Sequence, residues 1–143
     1  MIKFITSDQT RDLRSSELRS GLDRNLCGFV GDDDEGSFHV GYFLDTELMS
    51  IATFHRQPRE GFPGAGYQLR GMVTHPDYRG RGIGNQLLNF SIVYLKGQGT
   101  NYIWCNARKK ACKFYQDIGF EIISKEFELP GIGPHREMYL RIS

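Results

Sequence analysis

The part of this chain best suited to bind a charged ligand is a glycine-rich turn, Arg79–Gly84, in which glycine alternates with other residues. The turn follows a segment with strand character and precedes one with helix character. Glycines at such a junction let the backbone turn tightly and approach a ligand closely. The first turn of the helix supplies unpaired N–H groups and a positive dipole end, and Arg79 and Arg81 add charge. This combination predicts a phosphate site, although a purely structural glycine turn is the alternative.

The spacing of the glycines excludes two common nucleotide-binding turns. A P-loop ends in Gly-Lys-Ser or Gly-Lys-Thr, and no such end is present here. The dinucleotide fingerprint is G-x-G-x-x-G after the first strand of a parallel unit, whereas this turn is G-x-G-x-G after several predicted antiparallel strands. The predicted phosphate is therefore expected on another class of ligand.

Hydrophobic periodicity and turn residues predict the elements that position this turn. Strands are expected at 2–7, 37–44, 47–55, 67–75, 102–106, 120–129 and 137–142. Helices are expected at 85–96, at 109–118, and from a cap at Asp8 or Thr10 to about residue 19. This order predicts an α/β (α+β mixed) fold, in which helices flank a mixed, mostly antiparallel β-sheet. The length fits a single domain, residues 1–143.

Two motifs in the second half of the chain resemble the GNAT superfamily of N-acetyltransferases. Arg79, Gly82 and Gly84 match the family motif R/Q-x-x-G-x-G/A, whose backbone amides hold the pyrophosphate of coenzyme A. Residues 104–108 and 114–120 resemble the family's later strand and helix. The resemblance implies an enzyme that transfers acetyl from acetyl-CoA to an amine. It implies that acetyl-CoA is bound at Met72, Val73, Arg79, Gly80, Arg81, Gly82, Ile83, Gly84 and Asn106.

A closer resemblance, to the glyphosate N-acetyltransferase branch, runs nearly end to end. It is carried by residues 38–41, 50–55, 67–72, 104–108 and 133–135. In that branch arginines bind the anionic groups of the substrate, a histidine acts as base and a tyrosine acts as acid. The matching positions here are Arg19, Arg70 and Arg108 for binding, His135 as base and Tyr115 as acid. The glycine turn departs from the branch and follows the general superfamily pattern.

These residue types suit the formation of an amide from a thioester. An imidazole, with an ordinary pKa of about 6.5, can take the ammonium proton. His135 is expected in a loop entering the last strand, and loops often carry catalytic residues. A phenol, with an ordinary pKa of about 10, can protonate a departing thiolate, which is the role that the resemblance implies for Tyr115. The alternative for Tyr115 is packing in the core. The superfamily stabilises the oxyanion with a backbone amide. Met72 is the matching position, and Gly71 before it could permit a bulge that frees such an amide.

The arginines decide which substrate class is expected. Guanidinium groups bind carboxylate or phosphonate in bidentate fashion. Because an unpaired arginine is costly to bury, Arg70 faces solvent, pairs internally or binds a ligand. Two arginines beside the glycine turn, Arg70 and Arg108, favour a pocket for a small anionic, amino-acid-like or aminophosphonate amine. A protein or peptide N-acetyltransferase and a non-catalytic acyl-CoA-binding module are the alternatives.

Composition excludes several other classes of function. The net charge of +1 argues against a nucleic-acid partner. Three cysteines without a C-x-x-C pair, and four histidines without ligand spacing, indicate no disulfide framework and no metal, which fits the cytoplasm. No apolar run is long enough for a membrane span or a signal peptide. The acidic run Asp32–Glu35 is expected in a solvated loop, and either a monomer or a homodimer is compatible with the sequence.

Overall fold

A computed structural model of the chain, which describes residues 1–143, confirms the expected α/β fold. Its strands are β1 (Ile2–Ile5), β2 (Phe38–Leu44), β3 (Glu47–Arg56), β4 (Gly66–Thr74), β5 (Tyr102–Arg108), β6 (Glu121–Ile122), β7 (Phe127–Leu129) and β8 (Gly133–Arg141). Its α-helices are α1 (Ser7–Leu18), α2 (Ile83–Gly97) and α3 (Cys112–Ile118). The strands form one sheet in the order β1-β2-β3-β4-β5-β8-β6, with β7 also paired to β8. Every pair except β4–β5 is antiparallel.

Helices cover both faces of this sheet, because side chains alternate between the two faces of a strand. On one face, α2 and α3 pack on the main apolar core, whose fully buried members include Phe54, Leu87, Ile103 and Met138. On the other face, α1 packs against β2, β3 and β4. None of the helices combines the length and hydropathy that crossing a bilayer requires.

The feature that shapes the molecule is the short pairing between β4 and β5. These parallel strands pair only where residues 66–68 lie beside residues 102–104. Beyond Gln68 and Trp104 the strands continue without pairing to each other, through Thr74 and Arg108 respectively. Backbone groups that leave a ladder need other partners. The separation therefore opens a cleft through the middle of the sheet.

A β-bulge lies in β4 at the point where it borders this cleft. Val73 pairs with Ile51 and Arg70 pairs with Thr53, so that Gly71 and Met72 together oppose the single residue Ala52. Gly71 has a φ of +58°, a conformation that glycine adopts without steric cost. The bulge expected at Gly71 is confirmed, and it removes Met72 from the regular register of the sheet.

The N-terminus of α1 corrects the predicted cap at Asp8 or Thr10. Thr6 is the N-cap: its hydroxyl accepts a hydrogen bond from the Gln9 N–H at 3.3 Å. In return the Gln9 side chain accepts from the Thr6 N–H at 2.9 Å, which completes a capping box. Asp8 instead lies in the first helical turn, where its charge favours the helix dipole. The helix therefore begins after Thr6, because a capping box satisfies two backbone N–H groups whereas a single cap satisfies one.

The C-terminal part of the chain also differs from the prediction. The expected strand 120–129 is two short strands, β6 and β7, which pair with different parts of β8. Between them the Ser124 hydroxyl accepts from the Glu137 N–H, so that a side chain replaces the ladder there. The strand β8 begins at Gly133 rather than at residue 137. The predicted helix 109–118 begins as a 3₁₀ turn, Lys109–Ala111, before α3.

The solvated loop predicted for the acidic run is wrong for its first residue. Asp32 is buried, and its carboxylate accepts from both Nη atoms of the fully buried Arg14, at 2.6 and 3.3 Å. It also accepts from the Phe29 N–H and from His55 Nε2, each at 2.9 Å. Burial opposes ionisation of Asp32, but these hydrogen bonds outweigh it and lower its pKa to about 2. The rest of the run is exposed.

The histidines of β2 and β3 belong to the same buried network. His39 Nε2 donates to the Asp32 carbonyl at 3.0 Å, and its Nδ1 is 2.7 Å from the Thr53 hydroxyl. The Thr53 hydroxyl accepts from Arg14 at 2.7 Å, which leaves its own proton to donate to His39 Nδ1. Burial lowers the pKa of His39, with the hydrogen bond to the Asp32 carbonyl opposing it. The α1 face of the sheet is therefore held by charged and polar contacts rather than by an apolar core alone.

Candidate active site

The cleft between β4 and β5 is a cavity with a volume of about 1150 Å³. It is bounded by both strands, the end of α1, the glycine turn, α3 and the β7–β8 hairpin. Most of the residues predicted for the site line it: Arg19, Arg70, Met72, Val73, Arg79, Gly80, Gly82, Ile83, Gly84, Asn106, Arg108, Tyr115 and His135. Arg81 is the one predicted site residue that does not.

The glycine turn presents a row of free backbone donors to this cleft. The six consecutive N–H groups of residues 80–85 have no acceptor in the protein, and no side chain caps α2. Gly80 and Gly82 have φ values of +77° and +76°, and no atom lies within 4 Å of where a Cβ would be. Unpaired N–H groups at the start of a helix bind anions, and the positive φ values keep side chains out of the way. The turn therefore fits a pyrophosphate.

The two arginines of the turn contribute differently from the prediction. Arg79 donates to Glu17 at 3.1 Å and to the Thr74 carbonyl at 3.2 Å, so that its charge is already paired. The Arg81 guanidinium lies over the Tyr78 ring, 5.0 Å from its centre, which accounts for its absence from the cavity lining. The positive character of the turn therefore comes mainly from its N–H groups.

Three further arginines line the cleft without any acidic partner. Arg19 follows α1, Arg70 lies in β4 and Arg108 ends β5, and none of their side chains forms an ion pair or a hydrogen bond within the protein. The acidic residues of the lining are both paired: Glu17 with Arg79, and Asp117 with Lys113 at 3.3 Å. The cleft therefore carries excess positive charge, which an anionic ligand would balance.

Arg70 is the arginine whose surroundings are best defined. It is half-buried, and its guanidinium lies 4.5 Å from the centre of the Phe29 ring. Burial lowers its pKa, with the nearby charge of Asp32 opposing the shift. The contact with an aromatic face leaves the guanidinium N–H groups unused. A half-buried arginine in this state is well suited to bind a carboxylate or a phosphonate.

His135 lies within β8, whereas the sequence predicted it in a loop. Its Nδ1 donates to the Gly133 carbonyl at 2.8 Å, which leaves Nε2 as the free acceptor nitrogen. Nε2 has no partner in the protein, yet it is not among the enclosed unpaired atoms, which are Arg11 Nε and Arg14 Nε only. It is therefore accessible from the cleft, which His135 lines. Because β8 begins earlier than predicted, His135 pairs directly with Arg108 on β5.

Tyr115 packs in the core and also reaches the lining of the cleft. Its ring packs edge-on against Phe114 and Phe120, with centres 5.1 and 5.3 Å apart, inside the core. Its hydroxyl has one weak contact, 3.9 Å to the Met72 sulfur, on the lining of the cleft. Burial raises the pKa of Tyr115 well above its ordinary value. The phenol therefore keeps its proton at neutral pH and remains a proton donor.

The two ends of the cleft lie on opposite faces of the sheet. Ile103, Cys105 and Ala107 belong to the core on the α2 and α3 face, so that Arg108 points to the α1 face by strand alternation. His135 shares that face, as its cross-strand partner. Tyr115 and the glycine turn belong to the opposite, core face. Reactants can therefore meet through the gap that β4 and β5 leave open.

Phe29 and Glu17 also line the cleft, although the sequence predicts neither as a site residue. Phe29 falls in the irregular segment 20–36, where no periodicity or motif marks a site. Glu17 lies two residues before Arg19 on α1, and only the fold brings it to Arg79, 62 positions later. Neither residue carries a local signal, because each owes its position to contacts that are distant in sequence.

Comparison with known proteins agrees with this geometry. The model of the "Acetyltransferase (GNAT) family" matches residues 2–120. The uncharacterized N-acetyltransferase YitI of Bacillus subtilis (strain 168) is 36% identical over 139 residues, which cover 96% of this chain and 93% of that protein. An aminoglycoside 6'-N-acetyltransferase crystallised with coenzyme A has a TM-score of 0.80 at 16% identity, over 100% of this chain and 97% of its own. A GNAT-family acetyltransferase of Streptococcus pneumoniae has a TM-score of 0.75 at 16% identity, over 100% and 99% of the two chains.

The family model matches most of the chain, and one relative aligns with it almost end to end. Both comparisons assign the chain to the same family. The open N–H groups of the glycine turn supply what a coenzyme pyrophosphate needs. This chain belongs to the GNAT family and is an N-acetyltransferase that uses acetyl-CoA as its co-substrate.

Proposed function

We propose that this N-acetyltransferase acts on the amine of a small anionic substrate, either amino-acid-like or an aminophosphonate. The observation that carries the proposal is the set of three arginines in the cleft, Arg19, Arg70 and Arg108, whose side chains have no acidic partner. Arginines gathered without counter-charge are electrostatically unfavourable unless an anion joins them. The same three positions match the arginines that bind the substrate in the glyphosate N-acetyltransferase branch. For this reason the proposal includes aminophosphonates.

The two substrates enter from opposite faces of the sheet in this proposal. Acetyl-CoA supplies the acetyl group as a thioester, and the backbone N–H groups of residues 80–85 are suited to hold its pyrophosphate. Met72, Val73 and Asn106 line the gap along which the thioester arm would run. The anionic amine binds on the α1 face, where a guanidinium can fix the direction of its amino group.

His135 and Tyr115 are suited to the two proton transfers. The Nε2 atom of His135 takes a proton from the substrate ammonium, which makes the amine nucleophilic. As the amine attacks the carbonyl carbon, the Met72 backbone N–H, outside the regular register, stabilises the charge on the oxygen. When the C–S bond breaks, the Tyr115 hydroxyl gives its proton to the leaving sulfur, and the second proton that the attacking nitrogen loses restores the phenol.

The charge of the cleft argues against a polycationic acceptor. The structural relative crystallised with coenzyme A is an aminoglycoside 6'-N-acetyltransferase. Aminoglycosides are polyamines and carry several positive charges at neutral pH, and three unpaired arginines would repel them. We therefore do not extend that substrate class to this enzyme. A peptide amine is the competing acceptor, and the arginine variants below separate the two.

The first prediction concerns the coenzyme. Gly82→Asp places a side chain and a negative charge in the space open to the pyrophosphate, and we expect it to weaken acetyl-CoA binding by about 10- to 100-fold. Gly99→Asp is the matched control: Gly99 has a φ of +79°, equally open surroundings, and a position beyond the far end of α2. Calorimetric titration checks both. Equal coenzyme affinity in the two folded variants would contradict the site.

The second prediction tests the substrate class. Arg70→Ala and Arg108→Ala should each raise KM for an anionic amine by about 10- to 100-fold, because a charge-assisted hydrogen bond to the substrate is lost. Arg141→Ala, an exposed arginine on β8 outside the cleft lining, should leave KM unchanged. Released thiol, measured with an anionic amine and its neutral amide, gives the relative preference. If that preference survives both cleft variants, the anion pocket is wrong and peptide acetylation becomes the better proposal.

The third prediction concerns the base. His135→Gln should lower kcat by about 10²- to 10⁴-fold near neutral pH. Partial recovery is expected at high pH, where more of the amine is already unprotonated. His75→Gln provides the control, since His75 lies outside the cleft lining. A pH–rate profile of the three proteins decides the matter, and a glutamine variant as fast as the parent at pH 7 would exclude His135 as the base.

The fourth prediction concerns the acid. Tyr115→Phe removes one hydroxyl whose only protein contact is the weak one to the Met72 sulfur, so that folding should be nearly unaffected. The loss of the proton donor should slow turnover by about 10²- to 10⁴-fold. Tyr42→Phe on β2 removes a hydroxyl outside the cleft and should stay fully active. Stopped-flow or steady-state rates together with thermal melts separate the two effects, and a fully active Tyr115 variant would leave this residue with core packing alone.

A further inference from the structure

The buried network around Asp32 lies directly behind the anion-binding wall of the cleft. Its carboxylate holds the fully buried Arg14 through both Nη atoms and also accepts from the Phe29 N–H at 2.9 Å. Asp32 thereby fixes the backbone of the segment that carries Phe29. The catalytic roles proposed above make no use of these groups, although burying them is costly.

The ring of Phe29 lies between two guanidinium groups. The Arg14 guanidinium is 3.7 Å from its centre and the Arg70 guanidinium is 4.5 Å from it. A Cβ at Gly71, in the bulge of β4, would come within 2.8 Å of a Phe29 ring atom and 3.3 Å of Arg14 Nε. The ring therefore packs against the bulge itself and touches the only residue that separates Arg70 from Met72.

We infer that Asp32 and Phe29 are positioning residues for substrate binding: Asp32 fixes the Phe29 segment, and the Phe29 ring holds the Arg70 guanidinium in the cleft. This inference rests on the proposed anionic substrate, for which Arg70 is a binding residue. It goes beyond that proposal by assigning a role to two residues that need not touch the substrate.

The chemistry of the contact explains why an aromatic face takes the place of a carboxylate here. A carboxylate beside Arg70 would hold the guanidinium but occupy the N–H groups that the substrate needs. An aromatic face attracts the cation through its ring electrons and leaves those N–H groups free. Asp32 keeps its negative charge one layer away, where Arg14, His55 and the Phe29 N–H already saturate it. The arrangement orients Arg70 without neutralising it.

Four variants test the inference. Phe29→Leu removes the ring face, and Phe29→Tyr retains it. Asp32→Asn removes the charge that fixes the segment. Val40→Ala is the control for general destabilisation, because Val40 is fully buried in the apolar core and lies outside the cleft lining. Each variant is assayed with an anionic amine and its neutral amide, and thermal melts establish which variants are folded.

Phe29→Leu and Asp32→Asn should each raise KM for the anionic amine by about 3- to 30-fold, the range of a cation–π contact, with little change in kcat or in KM for acetyl-CoA. Their effects should not add in the double variant, because both act through one ring. Phe29→Tyr should behave like the parent. Val40→Ala should lower the unfolding temperature without changing the preference for the anionic amine. If the variants lost activity equally with the anionic and the neutral amine, Phe29 and Asp32 would have only a structural role and the inference would be wrong.

A measurement without substrate separates this inference from the proposed function. The Nε–H signal of Arg70 in a ¹H–¹⁵N spectrum, assigned with Arg70→Lys, should be shifted by the ring current of Phe29. Phe29→Leu and Asp32→Asn should move it toward the position of a free arginine, whereas Phe29→Tyr and Val40→Ala should not. If the parent enzyme shows no preference for anionic amines but the signal behaves in this way, the substrate class is wrong and the positioning stands. If the signal does not respond to Phe29→Leu, the positioning is overturned, even should Asp32→Asn fail to fold.

Discussion

The structure depends on one interruption, the loss of pairing between β4 and β5 after three residues. Parallel strands inside a sheet normally pair along their whole length, because unpaired backbone groups in an interior are costly. Here the strands separate, and the cavity that opens joins the two faces of the sheet. The glycine turn and Tyr115 lie on one face, and Arg108 and His135 lie on the other. The gap in the sheet is what connects these two groups of residues.

The bulge at Gly71 adapts the edge of this gap. One extra residue in β4 takes Met72 out of register and changes which face each following side chain addresses. Arg70, before the bulge, turns toward Phe29 and the α1 face. Met72, after it, lies against Tyr115 on the opposite face. The same irregularity therefore places Arg70 on one face of the sheet and Met72, with Tyr115, on the other.

The α1 face accepts a charged interior because its groups satisfy one another, with Arg14 Nε as an exception. Removing one partner of a buried ion pair typically costs about 3–5 kcal/mol, so that Arg14 and Asp32 each require the other. The hydroxyl of Thr53 and the ring of His39 extend the pair into the sheet. A network of this kind is rigid, since each donor has one suitable acceptor. That rigidity suits a wall that must hold a half-buried Arg70 without a counter-charge.

The sequence by itself determined the features that depend on local backbone chemistry. The glycine turn before α2, the hairpin of β2 and β3 and the bulge at Gly71 follow from glycine spacing and alternation, which act within a few residues. The order of elements, with the family motif at Arg79, Gly82 and Gly84, was enough to predict the fold and the coenzyme.

The tertiary structure alone decided the features that depend on distant contacts. His135 lies in a strand because β7 and β5 both pair with β8 there, and these pairings join segments that no local pattern links. Asp32 is buried because Arg14, 18 residues earlier, neutralises it. Arg81 turns away from the cleft to stack on Tyr78, and Phe29 reaches the cleft from a segment without periodicity. Charge and burial are set by the partners that folding brings together, which is why residue type and spacing could not reveal them.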